Sequence, residues 1–543
     1  MNADQLLDLI GEVKDEHVLD ADAPPKKSRT FLKWAALAAC FVLAVSIGAG
    51  LLRMLPIGGA RAGGAGHEEG SVFLSYAGPV FPLTLTEENA AVSASRDVTL
   101  DFSPWEPVWI SNEEEAASHT DLTDEERQQV LDDYNEWFPE GGYYEYSSDI
   151  LVTDRYTLTN SSDTDQTVSV LYPFASSLGA LASLRPTLSR NGVELETKLH
   201  AGSYAGGFEG AWGSGNEAEG SVNLRQLRSW EGYAALLENG TYLEQAMGEF
   251  PDFSNVPVTV YTLTDPWGPE QNKKAGLPNP SIRVMFSLDY SKTQVLSYGF
   301  NGGLWDTEKG VMGKSFSIPQ KDERGYGKAY YLLVIGDDIE NLTAQGYVTG
   351  GWDTKETIDA GVTITRSESD LESSLRMLAE LDEQDGAVSQ PHPAEAFELY
   401  FGLLKEHLLS YGVLSSDPVE RYENGNFEGM HDVQSVARVF WLEAEVTVPA
   451  NGSVTLEASA RKESSFDFAC ADTENKGVKG FDLVTKLASN LTFTGQTAHL
   501  ESRGQIDIVR QNFGFDPENG VLDVPLDENT PHYYLEVLRK DEK

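Results

Sequence analysis

Residues Phe31–Leu52 restrict the fold more than any other part of this chain, because they need an apolar environment. From Trp34 to Leu52, nineteen consecutive residues carry no charge. As a helix rising about 1.5 Å per residue, they would extend for roughly 28 Å, close to the roughly 30 Å hydrocarbon core of a bilayer. The sequence therefore predicts a transmembrane helix over 31–52, with the lipid bilayer as its partner.

Basic residues around this helix predict its direction. Four of them, Lys26, Lys27, Arg29 and Lys33, precede the apolar run, and only Arg53 and Arg61 follow it closely. Positive charge near a membrane span is retained on the cytoplasmic side. We therefore expect 1–30 to be a cytoplasmic segment, 53–70 to be a Gly-rich tether, and the long remainder to be extracytoplasmic.

A cleaved signal peptide is the alternative interpretation of the N-terminus. Ala60-Arg61-Ala62 is an acceptable small-residue cleavage pattern. However, the segment before the apolar run is long, and the run itself exceeds an ordinary signal-peptide core. The sequence thus favours an uncleaved, single-pass anchor.

A short amphipathic helix is predicted over 3–13. Its apolar stripe consists of Leu6, Leu7, Leu9, Ile10 and Val13. Such a stripe can lie on the lipid interface or self-associate, and it can also dock a cytoplasmic partner. The pattern does not distinguish these roles.

The formal charge of −46 belongs almost entirely to the part after the apolar run. Seven acidic and five basic residues precede Trp34, which leaves −44 on the remainder. A nucleic-acid partner is excluded because it would need a basic face, and anionic lipid or wall polymer is disfavoured for the same reason. Most of this charge is expected to be solvated surface, with weak Ca²⁺ binding as the alternative.

The only two cysteines, Cys40 and Cys470, lie in different settings. Cys40 falls inside the predicted span, so a disulfide between the two is not expected. The extracytoplasmic part must therefore be stabilised by its core alone.

Two N-terminal motifs resemble a group of known proteins. LLDLIGEVKDE (Leu6–Glu16) and KWAALAAC (Lys33–Cys40), with the basic cluster between them, are similar to the N-termini of single-pass membrane proteins of Gram-positive bacteria. Some of those proteins are described as anti-sigma-factor-like, and others have no known function. This chain lacks the zinc-binding cytoplasmic module of many anti-sigma factors. NFGFDPENG (512–520) is similar in style to the exported regions of such proteins.

Alternating apolar residues predict antiparallel β-strands after residue 71. The pattern is regular over 150–172, 282–290 and 440–458, and Asn191-Gly192 is a strong two-residue hairpin signal. The segments 150–172 and 440–458 are both predicted to be β-hairpins, each with a strand, a polar turn and a strand. This architectural similarity is too weak to be a sequence repeat. The expected fold class is mainly β, with a transmembrane helix and extracytoplasmic β-sandwich-like units that contain helical insertions.

Helical patterns interrupt the strands at several places. Thr123 and Glu126 predict a capping box at the start of an acidic helix, and 223–249 is predicted to be helical after a Gly-rich loop over 201–222. A helix capped by Ser369 and Glu372 begins a predicted helical hairpin over 367–412. The hairpin divides a β-rich region with helical insertions (71–366) from a C-terminal β domain (413–543).

No catalytic, cofactor-binding or metal-binding residue can be assigned from motifs. Gly213-Ser214-Gly215 lacks the outer spacing of a nucleophile elbow, and Gly206-Gly207, Gly302-Gly303 and Gly350-Gly351 are interpreted as turns. Asp337-Asp338 is interpreted as a turn cap, and His407 as a partly buried histidine at the core edge. The acidic loops at Asp163 and Asp165, and at Asp382, Glu383 and Asp385, lack the full EF-hand pattern, although Ca²⁺ is their alternative.

Six tryptophans form the remaining candidate feature. Trp105, Trp109, Trp212, Trp267, Trp305 and Trp352 lie in segments with Gly or Pro. They are interpreted chiefly as plugs of sandwich ends, and alternatively as a carbohydrate or peptide platform. The predicted function is a membrane-anchored extracytoplasmic module that binds or senses an envelope ligand, with an envelope hydrolase or a structural spacer as alternatives.

Overall fold

The computed structural model describes fourteen stretches of the chain. They are 71–75, 77–119, 122–204, 212–216, 241–269, 279–320, 326–384, 394–410, 412–416, 421, 425–430, 432–467, 476–487 and 489–540. The predicted cytoplasmic segment, transmembrane helix and tether lie outside these stretches, as do Cys40 and Cys470. Among the helices within them, none combines the length and apolar character needed to span a bilayer.

Twenty-eight strands are found in the described stretches. In chain order they are β1 (Ser71–Ser75), β2 (Thr84–Leu85), β3 (Val92–Asp101), β4 (Val108–Ser111), β5 (Gly142–Glu145), β6 (Ile150–Asn160), β7 (Gln166–Ser176), β8 (Thr187–Arg190), β9 (Val193–Glu194), β10 (Lys198–Tyr204), β11 (Trp212–Asn216), β12 (Pro257–Trp267), β13 (Ser281–Ser287), β14 (Thr293–Tyr298), β15 (Gly302–Asp306), β16 (Val311–Ser317), β17 (Tyr330–Gly336), β18 (Glu340–Tyr347), β19 (Thr357–Ile358), β20 (Gly361–Asp370), β21 (Arg438–Val448), β22 (Ser453–Lys462), β23 (Phe466–Asp467), β24 (Lys479–Val484), β25 (Thr492–Glu501), β26 (Ile506–Gln511), β27 (Asp523–Pro525) and β28 (His532–Arg539).

Helices are fewer and mostly short. They are α1 (Asn112–Ser118), α2 (Asp124–Trp137), α3 (Leu181–Leu184), α4 (Thr241–Met247), α5 (Leu371–Gln384), α6 (Ala394–Ser410) and α7 (Asp432–Ser435), with 3₁₀ turns at Ser103–Trp105, Leu178–Ala180, Phe427–Met430 and Pro517–Asn519. The prediction of a mainly antiparallel β protein is confirmed. One parallel pair, β3 with β25, occurs among the described strands.

Two compact units make up the described chain. Unit 1 contains the described residues up to Ser176, those of Leu181–Ala246, and those from Ala437 onward. Unit 2 contains the described residues of Ser177–Ala180 and Met247–Val436. Unit 1 is therefore discontinuous in sequence.

Unit 1 is built from a seven-stranded sheet and several smaller sheets. The large sheet has the order β27-β25-β3-β6-β22-β8-β9, and the four-stranded sheets have the orders β23-β24-β28-β26 and β10-β21-β7-β2. Apolar side chains of the large sheet and of β24 and β28 enter one core, which includes Val98, Leu100, Ile150, Val152, Phe481, Leu483, Leu535 and Val537. The C-terminal strands thus complete sheets begun before residue 100. This differs from the sequence-based division, which gave 413–543 a domain of its own, because alternation identifies a strand but not its partner.

The two predicted strand-turn-strand segments of unit 1 do not form hairpins. β6 pairs with β22, whereas β7 pairs with β21 in another sheet. Each turn therefore carries the chain from one sheet to the next, and the two segments lie against each other along both strands. The two segments have similar sequence patterns because their strands pair with each other and therefore occupy equivalent positions in the same two sheets.

Hydrogen bonds join the two turns. The Asn160 side-chain amide donates to the carbonyls of Val448 and Pro449, at 3.1 Å each. The Asn451 amide donates to the Ser162 carbonyl at 2.8 Å. A true hairpin does occur at Asn191-Gly192, where φ values of 50° and 80° join β8 to β9 as predicted.

Unit 2 contains two antiparallel sheets around one core. Their orders are β14-β17-β12-β20 and β15-β16-β13-β18-β19. The predicted apolar face of β13 enters this core together with residues of the other sheet, and the core includes Leu263, Ile282, Val284, Phe286, Val295, Met312, Phe316, Leu332 and Val334. In unit 1, the segment 201–222 was expected to be a loop, but β10 extends into it and β11 lies within it.

The predicted helical hairpin of unit 2 is present as α5 and α6, but α5 is capped differently. The Asp370 carboxylate accepts the Ser373 amide at 2.7 Å, so the cap is neither Ser369 nor its predicted box with Glu372. Glu372 instead accepts Lys405 Nζ at 2.6 Å. Of the helix predicted over 223–249, the described residues show α4.

Candidate functional site: an exposed aromatic surface

An insertion between β3 and β6, residues 106–146 of unit 1, presents the most exposed cluster of aromatic side chains among the described residues. It contains the two-stranded ribbon of β4 and β5, together with α1 and α2. We call the exposed rings of Trp109, Trp137, Tyr144 and Tyr146 the aromatic surface. Their relative exposures are 42%, 62%, 55% and 53%.

Two complete capping boxes begin the helices of the insertion. In α1, Ser111 and Glu114 exchange side-chain to backbone hydrogen bonds, and Thr123 and Glu126 do the same in α2, as predicted. Hydrogen bonds from the N-cap amide and hydroxyl lower the pKa of Glu126. Short helices with little buried surface depend on such local signals to begin at a fixed residue.

Partly buried rings support the insertion from below. Phe138 and Tyr143 lie 4.7 Å apart, and Tyr134 lies 5.4 Å from Trp137. The Tyr143 hydroxyl donates to Glu115 at 3.0 Å, and burial together with this carboxylate raises the pKa of Tyr143 to about 12. This layer gives the ribbon a fixed base.

The ribbon positions Trp109 and Tyr144 directly opposite each other. Their ring centroids lie 5.0 Å apart in an edge-to-face arrangement. The Trp109 ring covers Gly142, where a Cβ atom would come within 2.7 Å of its Cζ2 atom. Glycine at 142 is therefore needed for the indole to lie against the strand.

Tyr146 is held at the end of the ribbon by a buried cation. The Arg539 guanidinium lies 5.1 Å from the Tyr146 ring and 4.7 Å from the Trp105 ring. Trp105 is buried in the unit 1 core at 1% exposure. The edge of the aromatic surface is thus attached to the core through Arg539.

The insertion is strongly acidic. Residues 106–146 contain 13 Asp and Glu residues, one arginine and no lysine. Aromatic faces surrounded by carboxylates attract ammonium and guanidinium groups and repel phosphate and carboxylate groups. The arrangement is chemically suited to a positively charged ligand.

The six tryptophans singled out in the sequence are separated in the structure. Trp105 is a core residue, as the plug interpretation expected, and Trp109 belongs to the aromatic surface. Trp267 and Trp305 are exposed in unit 2, at 54% and 44%. Trp352 packs over Gly313 beside Arg283, and the described backbone of Trp212 lies in β11.

Sequence reasoning missed three members of the aromatic surface, Trp137, Tyr144 and Tyr146. The spacing of Val130, Leu131, Tyr134 and Trp137 predicts an apolar side for this helix, yet α2 has no buried residue. The run Tyr143-Tyr144-Glu145-Tyr146 was the available signal, because successive residues of a strand point to opposite faces and Tyr144 and Tyr146 therefore share one face. Nothing in the spacing indicated which face would be uncovered.

The acidic candidates act as turn and pairing residues. Asp338 accepts Tyr261 Oη at 2.9 Å and Arg366 Nε at 3.0 Å, while Asp337 lies near Lys292. Asp165 accepts the Ala450 amide at 2.9 Å. In the part of the chain that the structure describes, no group of three or more His, Cys, Asp or Glu side chains could hold a metal ion.

Gly213-Ser214-Gly215 and His407 also have structural positions. The glycine-serine segment lies in β11, paired with β1, instead of the predicted loop. His407 is partly buried in α6, as predicted.

Two clusters in unit 1 contain serine, an acid and histidine, the groups of a hydrolytic triad. Asp482 accepts Ser465 Oγ at 2.6 Å and contacts His532 Nε2 at 2.8 Å. In a catalytic triad, histidine lies between the serine and the acid so that it can take the serine proton. Here the acid is central, and Ser465 is completely buried.

The second cluster has the same order. Glu443 accepts Ser169 Oγ at 2.8 Å and lies 2.8 Å from His200 Nε2. Contact with His200 and Ser169 lowers the pKa of Glu443. These clusters connect strands and do not activate a nucleophile.

Comparison with known proteins adds no further identification, since no protein-family model, curated protein or solved structure matches this chain.

Proposed function

We propose that this chain is a single-pass, membrane-anchored extracytoplasmic protein that binds a positively charged envelope ligand through the aromatic surface. The exposed pair of Trp109 and Tyr144 on an acidic insertion is the observation that carries the proposal. The β-sheets of unit 1 serve as its support. Phe31–Leu52 anchors the chain, and its basic flank keeps the N-terminus in the cytoplasm.

The physical support for binding comes from position and charge. Aromatic rings that could have been buried are instead exposed at fixed positions, which is typical of interaction sites. The excess of carboxylates makes an anionic polymer an unfavourable ligand. A lysine-rich or arginine-rich peptide segment can place its cations over the rings and its charge near the carboxylates.

Binding can be tested with the full-length protein in nanodiscs. The probes are pentalysine, the neutral sugar chitotetraose and polyphosphate, measured by calorimetry at low and moderate salt. We expect pentalysine to bind, with affinity falling as salt rises. Preferential binding of chitotetraose would identify a sugar platform and overturn the cationic ligand class, and preferential binding of polyphosphate would overturn the charge argument.

Matched variants locate the site. Trp109→Ala and Tyr144→Ala should each weaken pentalysine binding by about tenfold, as expected for exposed aromatic anchors. Trp305→Ala removes an equally exposed indole, 44% against 42%, from unit 2 and should leave affinity unchanged. An equal loss in all three variants would contradict a localised site.

The anchor and its direction need a separate test. Protease added to intact protoplasts should remove the C-terminal bulk and leave a small membrane-bound fragment. Protection of the bulk would contradict the orientation. Release of the bulk into the medium before protease treatment would indicate cleavage instead of anchoring.

The 3–13 helix is proposed to contact a cytoplasmic partner. Cross-linking in cells can compare the full-length chain with a variant carrying Leu6→Glu and Ile10→Glu, which interrupts the apolar stripe. A cross-linked protein present only with the unaltered chain would support the contact. Identical cross-linking patterns for the two chains would contradict the proposed contact.

A further inference from the structure

Lys314 of unit 2 is a lysine in an unusual place. It lies on β16 between Met312 and Phe316, and strand alternation points all three side chains toward the same core. The residue is 8% exposed. An ammonium group at such a position needs hydrogen-bond acceptors to replace water.

Those acceptors are largely missing. Among the described residues, the one hydrogen bond of Lys314 Nζ runs to the Gly425 carbonyl, at 3.5 Å. That carbonyl already accepts the Ser297 amide at 2.9 Å and the Ser297 hydroxyl at 3.0 Å. Both of its lone pairs are therefore engaged by shorter bonds.

Lys405 of the same unit provides the contrast. It is similarly buried, at 6% exposure, but its Nζ donates to Glu372 Oε1 at 2.6 Å. Lys405 is therefore the buried member of an ion pair whose carboxylate, Glu372, is partly buried. Lys314 has no comparable bond within the described structure.

The protonation state of Lys314 follows from this environment. Burial lowers its pKa to about 8, and the Glu428 carboxylate offsets only part of that effect. Lys309, an exposed lysine of the same unit, has a raised pKa because it contacts Asp306. With a pKa of about 8, about a tenth of Lys314 is uncharged amine at pH 7 and about a quarter at pH 7.5, whereas Lys309 is an ammonium.

The amine can be approached from one side. Gly303 of β15 is paired with Lys314 and is exposed. Among the described residues other than its chain neighbours, a Cβ atom built on Gly303 would come within 4 Å of Lys314 alone, with Nζ at 3.8 Å and Cδ at 4.0 Å. Gly302-Gly303, interpreted from sequence as a turn, is part of β15. Because Gly303 has no side chain, there is space beside the Lys314 amine.

We propose that Lys314 is a nucleophilic amine that forms imines with small, uncharged carbonyl compounds entering beside Gly303. The Nζ lone pair attacks the carbonyl carbon and forms a carbinolamine. The carbinolamine loses its oxygen as water, which takes up both hydrogens of the original amine, and a C=N bond remains. The step needs no oxidant or reductant.

Reductive trapping on the full-length protein tests this inference. Glycolaldehyde and cyanoborohydride are added at limiting concentration and pH 7.5, and the rate of adduct formation is measured for each lysine by peptide mass spectrometry. We expect Lys314 to react at least about tenfold faster than Lys309. Its rate should rise with pH around a midpoint near 8.

Three outcomes would overturn the proposal. Lys314 could react no faster than Lys309, its rate could lack the pH midpoint, or Lys405 could react together with Lys314. The last result would show that labelling follows local opening of unit 2 and not a site in the folded structure. Lys314→Arg, which retains the charge, should lose the rapid adduct without altering the rate at Lys309.

Discussion

Arg96 of unit 1 and Lys314 of unit 2 are both buried basic residues, but their surroundings differ. Arg96 and Asp154 are both fully buried in unit 1, joined by two hydrogen bonds of 2.9 Å and 2.8 Å. The other Arg96 donors reach the carbonyls of Phe81 and Val484 at 3.0 Å and 2.8 Å. Within the described part of the chain, Lys314 of unit 2 has one hydrogen bond, to the Gly425 carbonyl at 3.5 Å.

The residue type explains much of this contrast. A guanidinium does not lose its proton in a protein, so its burial requires a complete set of acceptors. A lysine can instead lose its proton when acceptors are missing. A buried arginine is therefore expected to be structural, whereas a buried lysine with few bonds can be reactive.

Tyr156 completes the unit 1 network. Its hydroxyl donates to Asp154 at 2.7 Å and accepts the Leu83 amide at 2.9 Å. Burial raises the pKa of Tyr156 well above its ordinary value. Three strands and a loop are thus joined by one polar cluster within the core of unit 1.

The largest effect is expected when this cluster loses its negative charge. Asp154→Asn keeps the size of the side chain but leaves Arg96 as a buried cation without a counter-ion, which should cost about 3–5 kcal/mol. The measurement is the free energy of unfolding of unit 1 in urea, followed by tryptophan fluorescence. A loss below about 1 kcal/mol would show that the pair is not a structural requirement.

The two buried lysines of unit 2 should respond in opposite ways to methionine. Lys405→Met leaves the Glu372 carboxylate without its partner and should cost about 3 kcal/mol. Lys314→Met removes a poorly bonded amine and should be neutral or stabilising. Equal destabilisation of unit 2 by both variants, measured by urea unfolding, would place Lys314 among structural ion pairs.

Alkaline pH should stabilise unit 2 through Lys314. The pKa of Lys314 is lowered from 10.5 to about 8 in the folded state, so the unfolded chain binds more protons between these values. Stability then rises with pH in this window, by about 1.5 kcal/mol between pH 8 and pH 9.5. The free energy of unfolding is measured at each pH for the unaltered chain and for Lys314→Met, and the difference between them removes the contribution of all other titrating groups. A difference that does not change with pH would contradict the lowered pKa of Lys314.

The smallest effect is expected one residue away from the unit 1 cluster. Arg155 follows Asp154 on β6, points to the opposite face, and pairs with Glu457 at 2.6 Å on the surface. Arg155→Gln should cost less than about 1 kcal/mol, because water stabilises both charges after the pair is lost. A cost equal to that of Asp154→Asn would mean that burial is not the deciding factor in unit 1.

Part of the fold could be predicted from sequence because its causes are local. The Thr123–Glu126 capping box, the Asn191-Gly192 turn and the apolar face of β13 depend on residues a few positions apart, and all three are present. The hairpins expected over 150–172 and 440–458 were wrong. A strand pattern is the same whether its partner is adjacent or about 300 residues away, as for β6 and β22.

The candidate sites were less predictable. Trp109 was recognised as a candidate by its proline-bearing segment, but its exposure depends on Gly142 in the paired strand. Lys314 gave no signal, because one lysine in VMGKSFS resembles any surface residue of a strand. Its burial results from alternation together with the carbonyl of Gly425, more than a hundred residues later.

The sequence by itself determined the mainly β class, the residue at which a capped helix begins and the position of a hairpin turn. Periodicity, capping and positive φ act over short distances along the chain. It also predicts the membrane anchor at Phe31–Leu52. Only the tertiary structure decided which strands share a sheet, which aromatic rings remain exposed, and which buried cations are paired. Those properties depend on groups far apart in the chain, whose proximity is created by packing.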